Sequence, residues 1–271
     1  MAFFETKDGV TIHYDESGRG RPLVFVHGWA MSGVAWRFQR ELADHRRLIV
    51  MDLRGHGQSS FSENITLEAF ANDLVELFTC LDLHDALLIG WSMGVQVVLQ
   101  AFQNLRPRLA GLVLVGGTPR FSAAADFPHG LPPVEVKGMG LRLKRDYQKT
   151  MGDFFRGMFA AGEPDREQYQ RIVHEVVMKG RSPEPETARK ALQVLAEADL
   201  RPVLTAIDRP VLLVHGKSDS ICRPEASRYM AEKLPLARLQ MMDGGHAPFM
   251  ACPAEFNALV EGFARELHGE H

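Results

Sequence analysis

Cysteine is scarce in this chain. Cys80, Cys222 and Cys252 are three among 271 residues, an odd number without CxxC spacing, which excludes a disulfide framework and the common zinc-ligand patterns. No stretch approaches 18 consecutive apolar residues, and the start, MAFFETKDGVTIHYDESG, lacks a basic segment followed by a long apolar one. Neither a membrane-spanning helix nor a secretory leader is expected. Basic charge is not in excess: a net charge of −3 gives no global field for nucleic acid. Internal repeats, low-complexity tracts, metal-ligand spacings and a P-loop are missing as well. What is there is an ordinary globular composition, 45% hydrophobic and 24% charged, with length enough for one large domain or a core with an insert. The expected compartment is the reducing cytoplasm.

Eight β-rich runs recur: FFET, VTIHY, PLVFVHG, RLIVMD, ALLIG, GLVLVGG, PVLLVHG and ARLQMM. Several are apolar throughout, as in strands covered on both faces. FFET and VTIHY flank Lys7-Asp8-Gly9, a turn signal, and are expected to form an antiparallel edge. Helix-length segments lie between the runs. Residues 66–80 begin with Thr66 as N-cap and carry Leu67, Phe70, Leu74, Leu77 and Phe78 on one stripe. Residues 253–267 open with a proline at a helix start. The alternation predicts an α/β fold, a mostly parallel eight-stranded sheet with helices on both faces. It breaks at about 119, where MGLRLKRDYQKTMGDFFRGMF, REQYQRIVHEVVMKG and PETARKALQVLAEADL read as helices. The expected division is a core of residues 1–118 and 200–271 and a helical insert of residues 119–199.

The junction LLIGWSMGVQVVL carries the chemistry. A Gly-x-Ser-x-Gly string is weak by itself, because chance yields one in roughly ten chains of this size. Here it follows a predicted strand and opens a predicted helix, the setting of a nucleophile elbow. A serine hydroxyl needs a base, and a histidine base needs an orienting carboxylate. Ser92 is the candidate nucleophile. Asp219 follows the run PVLLVHG, and His246 follows ARLQMM, so serine, acid and histidine stand in the required order at three strand ends. Asp243 and Asp208 are rival acids, and Asp243 is too near His246 in sequence to serve easily. His27, His56 and His215 lie beside glycines at strand ends and read as loop-shaping residues. His13, His45, His84, His268 and His271 read as surface or terminal residues. The loop His27-Gly28-Trp29 can aim a backbone N–H at the site, so Trp29 and Met93 are the candidate oxyanion donors. Asp52 and Arg54 in MDLRGHGQSS read as loop-bonding residues.

These residues resemble the α/β-hydrolase family over nearly the whole chain: HGW at 27–29, DLRGHGQS at 52–59, GWSMG at 90–94, Asp219, and GGHAPF at 244–249. The resemblance implies an eight-stranded sheet with a helical cap inserted after the sixth strand. Within the family the chain is similar to the carboxylesterases that act on pimeloyl-acyl carrier protein methyl ester in biotin synthesis. LIGWSMG, TPRFS at 118–122, DYQKT at 146–150 and HAPFMACPAEF at 246–256 carry that likeness. It implies a serine carboxylesterase with no cofactor and no metal, substrate contacts at Trp29, Trp91, Phe121, Phe154 and Lys149, and an acyl carrier protein docking on a basic cap. Val95 departs from the pattern, standing where a glycine is usual, and Asp153 stands where an arginine is. Between 137 and 156, six cations face two acids, which suits an acidic partner; the bland alternative is a solvated helix face. Other ester, aryl-ester or lactone hydrolases, a perhydrolase, and a hydrolase-fold small-molecule receptor remain as alternatives.

Overall fold

The computed structural model describes residues 2–270; His271 lies outside them. The eight runs form one sheet of β1 (Ala2–Glu5), β2 (Thr11–Ser17), β3 (Pro22–Val26), β4 (Arg47–Met51), β5 (Ala86–Trp91), β6 (Leu109–Val115), β7 (Val211–Gly216) and β8 (Ala237–Met242). Their spatial order is β1-β2-β4-β3-β5-β6-β7-β8. The β1–β2 and β2–β4 pairs are antiparallel and the later pairs are parallel. The antiparallel edge lies where the turn at Gly9 puts it.

The helices are α1 (Leu67–Cys80), α2 (Met93–Leu105), α3 (Pro133–Arg145), α4 (Tyr147–Arg156), α5 (Arg166–Ile172), α6 (Pro185–Glu197), α7 (Pro224–Lys233), α8 (Pro248–Ala251) and α9 (Pro253–His268). A strand between two helical layers must be apolar at every position, with alternate residues feeding opposite cores. Val24, Val26 and Leu88 enter the core shared with α1, α2 and α7. Leu23, Phe25, Leu87, Ile89 and Trp91 enter the core built with the 3-10 stretch Gly33–Asp44 and α9. The Thr66 hydroxyl accepts from the Ala69 N–H at 3.1 Å and starts α1, as its position in the sequence indicated. Among the described residues no helix is long and apolar enough to cross a membrane.

Helices α3 to α6 all lie between β6 and β7. The two ends of this segment are tied together: Arg120 bridges Asp199 as a β-pair and as a 2.6 Å ion pair, and the Leu200 N–H donates to Pro119 O at 2.8 Å. The sequence reading ran one helix through residues 139–159. The structure breaks it at Asp146, whose extended backbone ends α3 and whose carboxylate accepts from the Lys149 N–H at 3.0 Å to begin α4. An aspartate able to cap a new helix competes with continuing the old one.

His13 is a second correction. It lies on β2, buried, with Nδ1 2.8 Å from Asp52 Oδ2. Asp52 also accepts from the N–H groups of Gly33 and Gln58, so one carboxylate joins three chain segments. That partner is distant in sequence, which is why the histidine looked exposed. Arg54 is buried against Asp73 and reaches Asp8. Asp52 and Arg54 thus bond the loop together, as expected of them.

Val95, the departure noted above, has a local counterpart. A Cβ placed on Gly117 would lie 2.4 Å from Val95 Cγ2, so the valine fills the space that this glycine leaves. Gly117→Ala should lower stability by about 1–3 kcal/mol through overpacking, read by urea unfolding. Adding Val95→Ala should recover part of the loss, with a coupling of at least about 0.5 kcal/mol; strictly additive losses would contradict the pairing.

Candidate active site

A chain that leaves β5 and enters α2 within two residues must bring the helix onto the neighbouring strand. Small residues make this feasible. A Cβ on Gly94 would lie 2.5 Å from Val26 O and 2.8 Å from His27 O, and one on Gly90 would lie 2.6 Å from Gly94 O. The turn between them puts Ser92 at φ 56 and ψ −117, a region that L residues rarely occupy outside functional sites. The Ser92 N–H donates to Val115 O at 2.9 Å, which pins the turn to β6. Met93 is the first residue of α2, so its N–H has no carbonyl four residues earlier in the helix.

Asp219 sits beyond the end of β7 and is buried. Its Oδ1 accepts from the N–H groups of Ile221 at 2.8 Å and Cys222 at 2.9 Å. Its Oδ2 lies 2.8 Å from His246 Nδ1. Burial by itself would raise this carboxyl. The neighbouring imidazole of His246 and the hydrogen bonds from His215 and His246 outweigh it and hold the group well below the ordinary carboxylate range. The rival acids are elsewhere: Asp243 is paired with Lys217 at 2.6 Å and exposed, and Asp208 is paired with Arg106.

His246 is fully buried, in the loop between β8 and α8. Its backbone N–H donates to Met158 O at 2.7 Å, and its carbonyl accepts from the Trp91 indole N–H at 2.9 Å. The preceding Gly245 N–H donates to Glu163 Oε2 at 2.9 Å. The loop is therefore held from below by the residue before Ser92 and from above by the segment leading from α4 to α5. A Cβ on Gly245 would lie 2.5 Å from Met158 O, which measures how closely that segment lies on it. His246 Nε2 is buried without a hydrogen-bond partner among the described residues.

The remaining candidates separate. Gly28 approaches Ser92 closely, a Cβ there lying 3.0 Å from Ser92 Cβ. The Trp29 indole N–H donates to Ala188 O at 2.8 Å, and its ring meets Phe154 edge-on at 4.8 Å. Trp91 packs against Phe249 at 5.0 Å and faces His246 at 5.5 Å, within the second core. Phe121 is buried in the first core. Lys149 is exposed on α4, 3.7 Å from Asp153. A cavity of about 300 Å³ opens beside the Trp29 loop, lined by Ala30, Met31, Met151, Phe155, Tyr169 and Val176 among others; Ser92 and His246 are not in its wall. His27 accepts from the Leu53 N–H and donates to Gly28 O, and burial pushes its imidazole down. Burial likewise pushes His56 down to about 3. Both hold loops together.

The sequence reading missed two contributors. His215, taken for a loop-shaping residue, has Nε2 3.1 Å from Asp219 Oδ2. Its signal was available, a histidine ending the strand four residues before the acid. Glu163 had no signal, since its bond to Gly245 spans 82 residues.

Residues 21–251 match the model of the alpha/beta hydrolase fold. The chain belongs to the α/β-hydrolase family. Among its relatives is the pimeloyl-[acyl-carrier protein] methyl ester esterase of Nitrosospira multiformis, 31% identical over 94% of this chain and 99% of the relative. The enzyme of the same name from Nitrosomonas europaea is 33% identical over 91% of this chain and 96% of the relative. Among solved structures, an esterase from Exiguobacterium antarcticum superposes with a TM-score of 0.90 at 26% identity, covering 97% of this chain and 98% of its own.

The depressed Asp219 carboxyl has a consequence for stability. A carboxyl lowered on folding stabilises the folded state above its unfolded value, near pH 4, and that stabilisation is lost as pH falls toward the lower folded value. Urea unfolding between about pH 3 and 7 should show a shallower acid-side loss of stability in Asp219→Asn than in the parent protein. Parallel curves would contradict the assignment.

Proposed function

We propose that the protein is a carboxylic ester hydrolase that works by acyl transfer through Ser92, with a carrier-linked acyl methyl ester as its substrate. The observation that carries the chemistry is the buried 2.8 Å contact of His246 Nδ1 with Asp219 Oδ2, which leaves His246 Nε2 free of any hydrogen bond among the described residues, beside the strained turn at Ser92, φ 56, that follows β5. Ser92 Oγ attacks the ester carbonyl while His246 Nε2 takes its proton. Asp219 orients the imidazole and stabilises its charged form. The N–H groups of Trp29 and Met93 hold the oxyanion. The alcohol leaves with the proton from His246. Water, deprotonated by the same histidine, then releases the acid and restores Ser92. No step calls for a cofactor or a metal.

The substrate reading draws on the relatives named as pimeloyl-[acyl-carrier protein] methyl ester esterases, at 31% and 33% identity. In this reading residues 119–199 are a cap over a core of residues 1–118 and 200–271. The acyl chain runs along Trp29 and Phe154, Phe121 supports that wall from the first core, and Trp91 contributes by holding the His246 loop. The carrier docks on Lys137, Arg142, Lys144, Arg145, Lys149 and Arg156, and the reaction belongs to the cytoplasm. One contact favours a second reading. Asp153 pairs with both Lys149 and Arg156, offsetting one of their two positive charges and occupying both side chains, which suits a free short-chain ester, aryl ester or lactone instead.

A fluorophosphonate probe should label the protein and leave Ser92→Ala unlabelled; labelling of both would remove Ser92 as nucleophile. Asp219→Asn should cut turnover by roughly 10⁴-fold, by analogy with other triads. The two substrate readings part on one comparison, pimeloyl-carrier methyl ester against free short-chain esters. Turnover of the carrier ester no faster than by Ser92→Ala, beside ready hydrolysis of the free esters, would decide for the second.

A further inference from the structure

β7 puts residues 211, 213 and 215 on one face. Val211 and Leu213 enter the apolar core there, and the third is His215, fully buried. An imidazole in such a place is costly unless its nitrogens are bonded, and both are. Nδ1 is 2.6 Å from Ser227 Oγ on α7. Nε2 is 2.8 Å from Cys222 O and 3.1 Å from Asp219 Oδ2. A carbonyl and a carboxylate only accept, so Nε2 carries the proton. Nδ1 meets the Ser227 hydroxyl, which can donate or accept. With the other tautomer, a lone pair on Nε2 would face two oxygens.

We propose that His215 is a positioning residue for the reaction: held in place by Ser227 and Cys222, it shares its single Nε2–H between Cys222 O and Asp219 Oδ2 and so sets the direction and strength of the bond from Asp219 to His246. This rests on the triad reading above. Asp219 Oδ1 is already taken by the N–H groups of Ile221 and Cys222. With His215 on Oδ2, the carboxylate plane cannot turn, and the lone pair left on Oδ2 points at His246 Nδ1. Dividing the charge of Oδ2 between two donors also weakens its pull on the imidazolium that forms when His246 takes the serine proton.

The titratable groups facing Asp219 are His246, His215 and the thiol of Cys222, which burial pushes up. Glu163 and Asp243 are the acids near the His246 loop, and Glu163 bonds to it through Gly245. A change confined to His215 or Ser227 leaves both acids in place.

The test is the pH profile of kcat/KM, with kcat and KM, on 4-nitrophenyl butyrate for the full-length protein and four variants. In His215→Phe, kcat should fall by about 10- to 100-fold while KM stays within about two-fold, and the acidic limb should move to higher pH by about half a unit to one unit. His215→Gln, which keeps an N–H at the place of Nε2, should restore most of the rate and the original limb. Ser227→Ala leaves the imidazole and the acceptors that set its tautomer but removes the Nδ1 contact that fixes the ring's orientation, and should fall between them. A limb that stays put in both His215→Phe and Ser227→Ala overturns the proposal, as does a His215→Gln protein impaired as much as His215→Phe. Should His215→Phe not fold, Ser227→Ala and His215→Gln decide by the same criteria. Asp219→Asn runs beside them: full activity there overturns the triad reading itself, whereas a crippled Asp219→Asn beside unaltered His215 variants overturns this inference alone.

Discussion

Helix α2 begins directly over the carbonyl oxygens of Val26 and His27, and it comes that close because residue 94 has no side chain. The approach leaves the chain too little room for a relaxed turn after β5, and Ser92 absorbs the difference at φ 56. A residue in that region costs on the order of 1–3 kcal/mol. Neighbouring structure offsets it: β5 lies between β3 and β6, and Val115 accepts the Ser92 N–H. The same crossing sends Trp91 to the opposite face, where its indole holds the carbonyl of His246. A single turn thus presents the serine on one side and supports the histidine loop on the other.

The charge at the centre is handled by complete bonding. Asp219 is buried, and both its oxygens are in use. A buried carboxylate is tolerable when its lone pairs all find donors. The N–H groups of Ile221 and Cys222 come from within three residues of Asp219, His215 stands 3.1 Å away four residues earlier, and His246 comes from beyond β8. The loop after β7 therefore forms its own cradle and leaves one direction open, toward His246. The groups around Asp219 thus define the direction in which it faces His246.

The sequence made legible what local pattern determines. Eight β-rich runs became eight strands, and the central ones among them, such as β3, β5 and β7, are buried throughout because both their faces are covered. Thr66 and Pro253 marked helix starts, because capping depends on the next few residues. The order of Ser92, Asp219 and His246 at three strand ends pointed to residues that lie at the ends of parallel strands. What stayed hidden depends on distant partners. Asp52 buries His13, and Glu163 reaches Gly245 across 82 residues. The break at Asp146 was local and could have been read, but a continuous helical stripe on either side masked the capping signal. Val95 made sense once Gly117 was seen beside it.

The helical segment between β6 and β7 does more than overhang the sheet. Met158 and Glu163 supply the acceptors for the backbone of His246 and Gly245. The loop that carries the histidine is thus finished by a part of the chain that could otherwise pass for an interchangeable module. A chimera that transplants this segment from another hydrolase, to change which molecules enter, would also transplant or forfeit the two bonds that seat the histidine. For this protein, exchanging selectivity and preserving reactivity are one engineering problem, and the graft boundary belongs inside α4 and α5, leaving residues 158–163 with the host.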